Sequence, residues 1–196
     1  MFPKFSGLQG RADMIKIQSK FFQSVIKHHQ ETLDEENPRD FIDVYLTEMN
    51  KEDNGAMTLK DLNSVIENMF IAGTDTSSTT LKWIILHLCL HQDVQTKCRE
   101  EILKLLGHHA RCSMANLQSL PYTLATITEV QRVARVAPMS LFHSTSKETK
   151  VEGFTFPKGS MFVANLSHIT HNPEFFKDPH VFNPGRWISQ DGRYVC

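Results

Sequence analysis

The sequence carries almost no net charge: 21 lysine and arginine residues stand against 22 aspartate and glutamate residues, a formal balance of -1. Its basic residues are scattered, so it has no electrostatic footprint for nucleic acid. Cysteine is scarce. The four present, Cys89, Cys98, Cys112 and Cys196, show no Cys-x-x-Cys spacing, and nothing at the N-terminal end reads as a secretory signal. That pattern points to a reduced, cytosol-facing setting. Long apolar runs are missing too: Trp83 to Leu86 ends at His87, and Met1 to Gly10 is short and mixed, so no segment is expected to span a bilayer. With only 9 glycines and 8 prolines and no internal repeat, the chain is neither low-complexity nor a solenoid.

What is present is ordinary globular composition, 40% hydrophobic and 22% charged, enough to bury the core of one domain or two small ones. Met14, Ile17, Phe21, Phe22, Val25 and Ile26 recur at helical spacing, which predicts a helix over Leu8 to Leu33, stopped by the stretch Asp34 to Pro38. A shorter helix is expected over Asp40 to Met49, then a turn at Asn54-Gly55. Thr58 with Asp61 resembles a capping box opening a long helix that keeps its 3.6-residue period from Leu59 to His91. Further helices are expected over Asp93 to Leu106, stopped by Gly107, and over Pro121 to Arg135, stopped before Pro138. Thr149 to Phe156 and Ser160 to Asn165, around Pro157-Lys158-Gly159, read as an antiparallel hairpin. The tail from His171 to Cys196 reads as structured loop. The fold expected is therefore mainly α, helical over 1–137, with a small antiparallel β element and loop over 138–196.

One segment conflicts with its surroundings. Ala72-Gly73-Thr74-Asp75-Thr76 lies inside the longest predicted helix, yet glycine there costs about 1 kcal/mol relative to alanine and the hydroxyl residues through Thr80 also disfavour helix. The Thr76 hydroxyl can bond the Ala72 carbonyl, bending the helix and leaving room for a small ligand to which Asp75 and Thr76 would relay protons. The bland alternative is that Gly73 permits close helix packing. Elsewhere, Glu129 and Arg132 share a helical face and can pair. Arg186, in Phe182-Asn183-Pro184-Gly185-Arg186-Trp187, could join the same carboxylate, making a cluster that locks two distant segments together.

These motifs, in this order, resemble the haem-thiolate monooxygenases of the cytochrome P450 family. Asn37-Pro38-Arg39-Asp40-Phe41, Leu120-Pro121-Tyr122 and Phe156-Pro157-Lys158-Gly159 are similar to its animal microsomal family-2 type, and the resemblance runs from about Gly7 to Tyr194. It implies haem as cofactor, with Ala72, Gly73, Asp75 and Thr76 on the oxygen side and His143 against a haem propionate. Glu129, Arg132 and Arg186 would be the structural brace. It further implies dioxygen and a small organic substrate as reactants, an NADPH-cytochrome reductase as partner of the full-length parent, and the cytosolic face of the endoplasmic reticulum membrane as its location. The family's iron-binding cysteine lies in a Phe-x-x-Gly-x-Arg-x-Cys-x-Gly loop further past Arg186, and Cys196 lacks that frame. The chain is thus expected to be an internal fragment, without membrane anchor or iron ligand and inactive alone.

Two other readings use different residues. Asn50, Glu52, Asn54, Gly55, Ala56, Thr58 and Asp61 fall at EF-hand positions, though Asn50 replaces the usual Asp and Asp61 the bidentate Glu, so a polar turn is the competing reading. A non-catalytic, truncated helical domain is the other. His28-His29, His108-His109 and the pair His168 and His171 are read as surface histidines, and no metal site is assigned.

Overall fold

The computed structural model describes residues 8–51, 57–108 and 111–195. Two compact units divide the chain, Met1–Asp75 and Thr76–Cys196.

In the first unit, α1 (Leu8–Glu31) buries Phe22 and Ile26, while Met14, Ile17 and Phe21 of the same periodic set stay exposed. It ends where Thr32 folds back, its hydroxyl donating to the His28 carbonyl at 2.8 Å. Asp34 then makes an Asx turn with the Glu36 amide at 3.1 Å. Asp40 caps α2 (Phe41–Met49), its carboxylate accepting from the amides of Ile42 and Asp43. The 32-residue α3 (Leu59–Leu90) opens with Thr58, whose hydroxyl accepts from the Asp61 amide at 3.2 Å. Ile26, Ile42, Leu46 and Leu62 form the core where these helices meet, flanked by Val25, Leu33, Tyr45, Met49 and Ile66. Each such buried aliphatic contributes about 1.5–3 kcal/mol.

The second unit takes the rest of α3, then α4 (Gln92–Leu106), a 3-10 turn over Met114–Ser119 and α5 (Pro121–Ala134). A carboxylate from one helix caps the next: Glu101 of α4 accepts from the amides of Tyr122 and Thr123, each at 2.8 Å, at the positive end of α5. Val94, Cys98, Leu120, Ala125 and Val130 are buried here. Arg135 closes α5 in the left-handed conformation, φ 48°. Observed helix ends lie within two residues of those expected.

The β element departs from the expected single hairpin. β2 (Thr149–Val151) pairs antiparallel with β3 (Phe154–Phe156), Val151 opposite Phe154, across the two-residue loop Glu152-Gly153. Both loop residues have positive φ, 48° and 81°, matching the twist of a tight hairpin. β4 (Met161–Phe162) pairs instead with β1 (His143–Ser144), His143 opposite Phe162. The Pro157-Lys158-Gly159 turn carries the chain back to residue 145, where the Gly159 amide donates to the Thr145 carbonyl at 2.9 Å. Short helical pieces absent from the sequence reading follow: α6 (Leu166–Thr170), capped by Asn165, and a 3-10 turn over Pro184–Trp187, capped by Asn183. The tail is pinned to α5 by a 2.8 Å hydrogen bond between the Tyr194 and Thr128 hydroxyls.

Candidate functional site

Glu129, Arg132 and Arg186 meet in the second unit. Arg132, one helical turn after Glu129, donates through both Nε and Nη2 to the two carboxylate oxygens at 2.9 and 2.8 Å. Arg186 Nε reaches Oε1 at 2.9 Å from the 3-10 turn. Two donors beyond the expected trio complete the shell: the Asn183 amide on Oε1 and the Trp187 indole Nε1 on Oε2, each at 2.9 Å. Burial alone would raise the Glu129 pKa, but the donors from Arg132, Asn183, Trp187 and Arg186 together hold it below the usual carboxylate value.

The free ends of both guanidiniums grip the loop between α6 and the 3-10 turn. Arg132 Nη1 donates to the carbonyls of Thr170 and Pro179 at 2.8 and 2.7 Å. Arg186 donates to Lys177 and Val181 at 2.9 and 3.1 Å. The Arg132 guanidinium also lies 5.1 Å from the Phe176 ring centroid, a cation–π contact. The cluster therefore fixes an irregular loop through its backbone carbonyls, with the Phe176 ring as a side-chain contact.

The Ala72 to Thr76 segment lies in unbroken helix, with its residues exposed. Thr80 rather than a helix break absorbs one backbone acceptor, its hydroxyl donating to the Thr76 carbonyl at 2.8 Å. A Cβ added at Gly73 would meet nothing within 4 Å, so no close helix packing at Gly73 is present among the described residues. Thr76 and Thr80 line a cavity of about 300 Å³ with Gln131, Arg132, Arg135 and Ser167. His143 is exposed on β1.

Of the EF-hand positions, Asn50 caps α2 and donates to Glu35 at 3.0 Å, while Thr58 and Asp61 satisfy each other. Glu52, Asn54, Gly55 and Ala56 lie outside the described residues, as do His109 and Cys196.

His29 is not the surface histidine expected. Its side chain is 12% exposed and its Nδ1 lies 2.8 Å from Oδ1 of the fully buried Asp43, because α2 packs over that turn of α1. Arg39 binds both Asp43 oxygens, at 2.6 and 2.8 Å, and drives that carboxylate well below the usual range against the opposing cost of burial. His29, Asp40 and Asp43 bring potential ligand atoms within 4.8 Å of one another, with both Asp43 oxygens held by Arg39 and Asp40 Oδ1 held by the α2 cap. The sequence clue was available: Arg39 and Asp43 are four apart across a helix start.

Comparison with known proteins gives a consistent result. The family model described as Cytochrome P450 matches residues 2–195. Human cytochrome P450 2U1 is 39% identical over 181 residues, covering 90% of this chain and 33% of the relative. Rabbit cytochrome P450 2C5 is 36% identical over 183 residues, 93% of this chain and 37% of the relative. Golden hamster (Mesocricetus auratus) cytochrome P450 2C25 is 38% identical over 178 residues, 89% and 36% respectively. The chain spans about a third of the length of these relatives. With the match extending through α3, α5 and the loop that Glu129 braces, this chain belongs to the cytochrome P450 family.

Proposed function

We propose that this chain supplies the oxygen-side helix and the bracing carboxylate of a haem-dependent monooxygenase, one that inserts an oxygen atom from dioxygen into a lipid-like or xenobiotic organic substrate. Family membership over 2–195 carries the reading, since the family's cofactor is haem. Electrons would come from NADPH through a reductase, on the cytosolic face of the endoplasmic reticulum membrane. Among the described residues no helix is long and apolar enough to cross a membrane.

The residues present suit a flat, apolar cofactor on one side. Small side chains at Ala72 and Gly73, with open space beyond Gly73, leave room along α3, and the exposed imidazole of His143 suits an acidic substituent by its chemistry. Burial, opposed by hydroxyls of Thr126 and Thr123, pushes the Cys98 thiol up, away from an activated thiolate. Haem, when bound, supplies one-electron and dioxygen chemistry that side chains lack. Thr76 would hold a proton at its Oγ1 and Asp75 would exchange one between its carboxylate and solvent, a relay that must stay next to the reacting oxygen to work. Glu129 acts at a distance, by keeping the 177–187 loop in one conformation.

A chimera tests this: residues 59–195 replace the matching segment of full-length rabbit cytochrome P450 2C5. The chimera is expected to bind haem and oxidise substrate, and Thr76→Ala in it to lower product formation about 100-fold with the haem spectrum unchanged. Equal product from both would overturn the assignment. The 196-residue chain alone, given haem and carbon monoxide after reduction, is expected to show no thiolate-type Soret band.

A further inference from the structure

His87 and His91 lie one turn apart near the end of α3, with rings 5.9 Å apart and within 7° of parallel. The Phe182 ring lies across both, its centroid 4.6 Å from His87 and 4.7 Å from His91. Phe182 immediately precedes Asn183, whose amide donates to Glu129, so the two imidazoles hold a residue within the loop that the Glu129 cluster braces. Among the described residues Nδ1 of His87 is buried with no hydrogen-bond partner. We propose that His87 and His91 form a pH-sensitive latch that docks the Phe182–Trp187 segment on α3 while His87 is neutral and loosens it when His87 takes up a proton.

The latch follows from what a proton would meet. A neutral imidazole can leave one ring nitrogen unpaired at modest cost, but an imidazolium carries donors on both, and here one would point into a buried space without an acceptor. The charge would also face His91, the residue between α3 and α4. Two groups oppose this effect: the Phe182 ring, whose face attracts cations, and the Glu129 carboxylate on α5. Arg132 and Arg186 already neutralise Glu129. Burial first, then His91, lower the His87 pKa despite Glu129. A depressed value fixes the sign: the stability carried by neutral His87 is complete above the ordinary histidine pKa of about 6.5 and is lost as pH falls from there through the folded value.

Hydrogen exchange by NMR on the full chain tests the latch, read at the Asn183 amide and the Trp187 indole N–H. Between about pH 7 and about pH 5, above the carboxylate range, Asn183 protection corrected for intrinsic exchange is expected to fall about threefold or more. His87→Phe keeps a ring against Phe182 and cannot titrate, so its profile should be flat. His91→Phe removes the neighbouring imidazole and should shrink the fall, which decides the matter if His87→Phe does not fold. A flat profile in the parent, the full fall in His87→Phe, or an undiminished fall in His91→Phe would each overturn the proposal.

Discussion

Glu129 has no exposed surface, and its neighbours Arg132 and Arg186 are nearly as enclosed, so the cluster behaves differently from a surface ion pair. Glu129→Gln keeps the shape but leaves two guanidiniums without a counter-charge and turns an amide N–H₂ toward other donors. Stability is expected to fall by about 3–5 kcal/mol in urea unfolding, whereas a loss below about 1 kcal/mol would mean that solvent screens the cluster. Charge spacing made part of this legible: the three-residue interval of Glu129 and Arg132 puts them on one face. Trp187 and the Asn183 amide left no such trace, because an indole donor and a backbone N–H acquire partners only through the tertiary fold. The burial of His29 leaves no trace for the same reason, since adjacency to His28 says nothing about which helix will cover one of the two.

At the scale of elements, α3 shows how far periodicity reaches. The apolar repeat placed its ends well, and the helix continues through a pentapeptide whose propensities oppose it, because a long helix with buried anchors such as Leu62 tolerates a local deficit of about 1 kcal/mol. Gly73→Ala should therefore stabilise the protein by about 1 kcal/mol, since its methyl enters open space in a helical backbone. Thermal melting would register this as a higher midpoint, and a lower one would show that α3 requires glycine there for its shape. The strands were less legible. Glu152-Gly153 is a weaker turn signal than Pro157-Lys158-Gly159, yet the weaker one makes the hairpin, because positive φ at both of its residues matches strand twist across a two-residue loop. The stronger signal serves a longer return that brings β4 to β1.

Across the whole molecule, acid should act in two stages. The first is the loss tied to His87 below about pH 6.5. The second comes from Glu129 and Asp43, both held below their ordinary values. Their share of stability is complete above about pH 4.3 and is lost as pH falls through the folded values, when protonation frees Arg132, Arg186 and Arg39. Urea midpoints measured by far-UV circular dichroism across this range should fall in both stages, and a profile flat down to about pH 3 would refute it. Many apolar side chains, among them Ile85, Phe70 and Met69, remain exposed in a chain about a third as long as its relatives. The sequence's helical period identified these positions as apolar faces, but burial depends on which partners are present, and no single segment encodes that.

Both tryptophans, Trp83 and Trp187, belong to the unit Thr76–Cys196. Intrinsic fluorescence excited at the red edge is therefore a one-sided optical probe: its emitters report directly on the Glu129 cluster and the end of α3. In Met1–Asp75 the lone phenolic chromophore among the described residues is Tyr45, so that unit needs a second, shorter excitation wavelength.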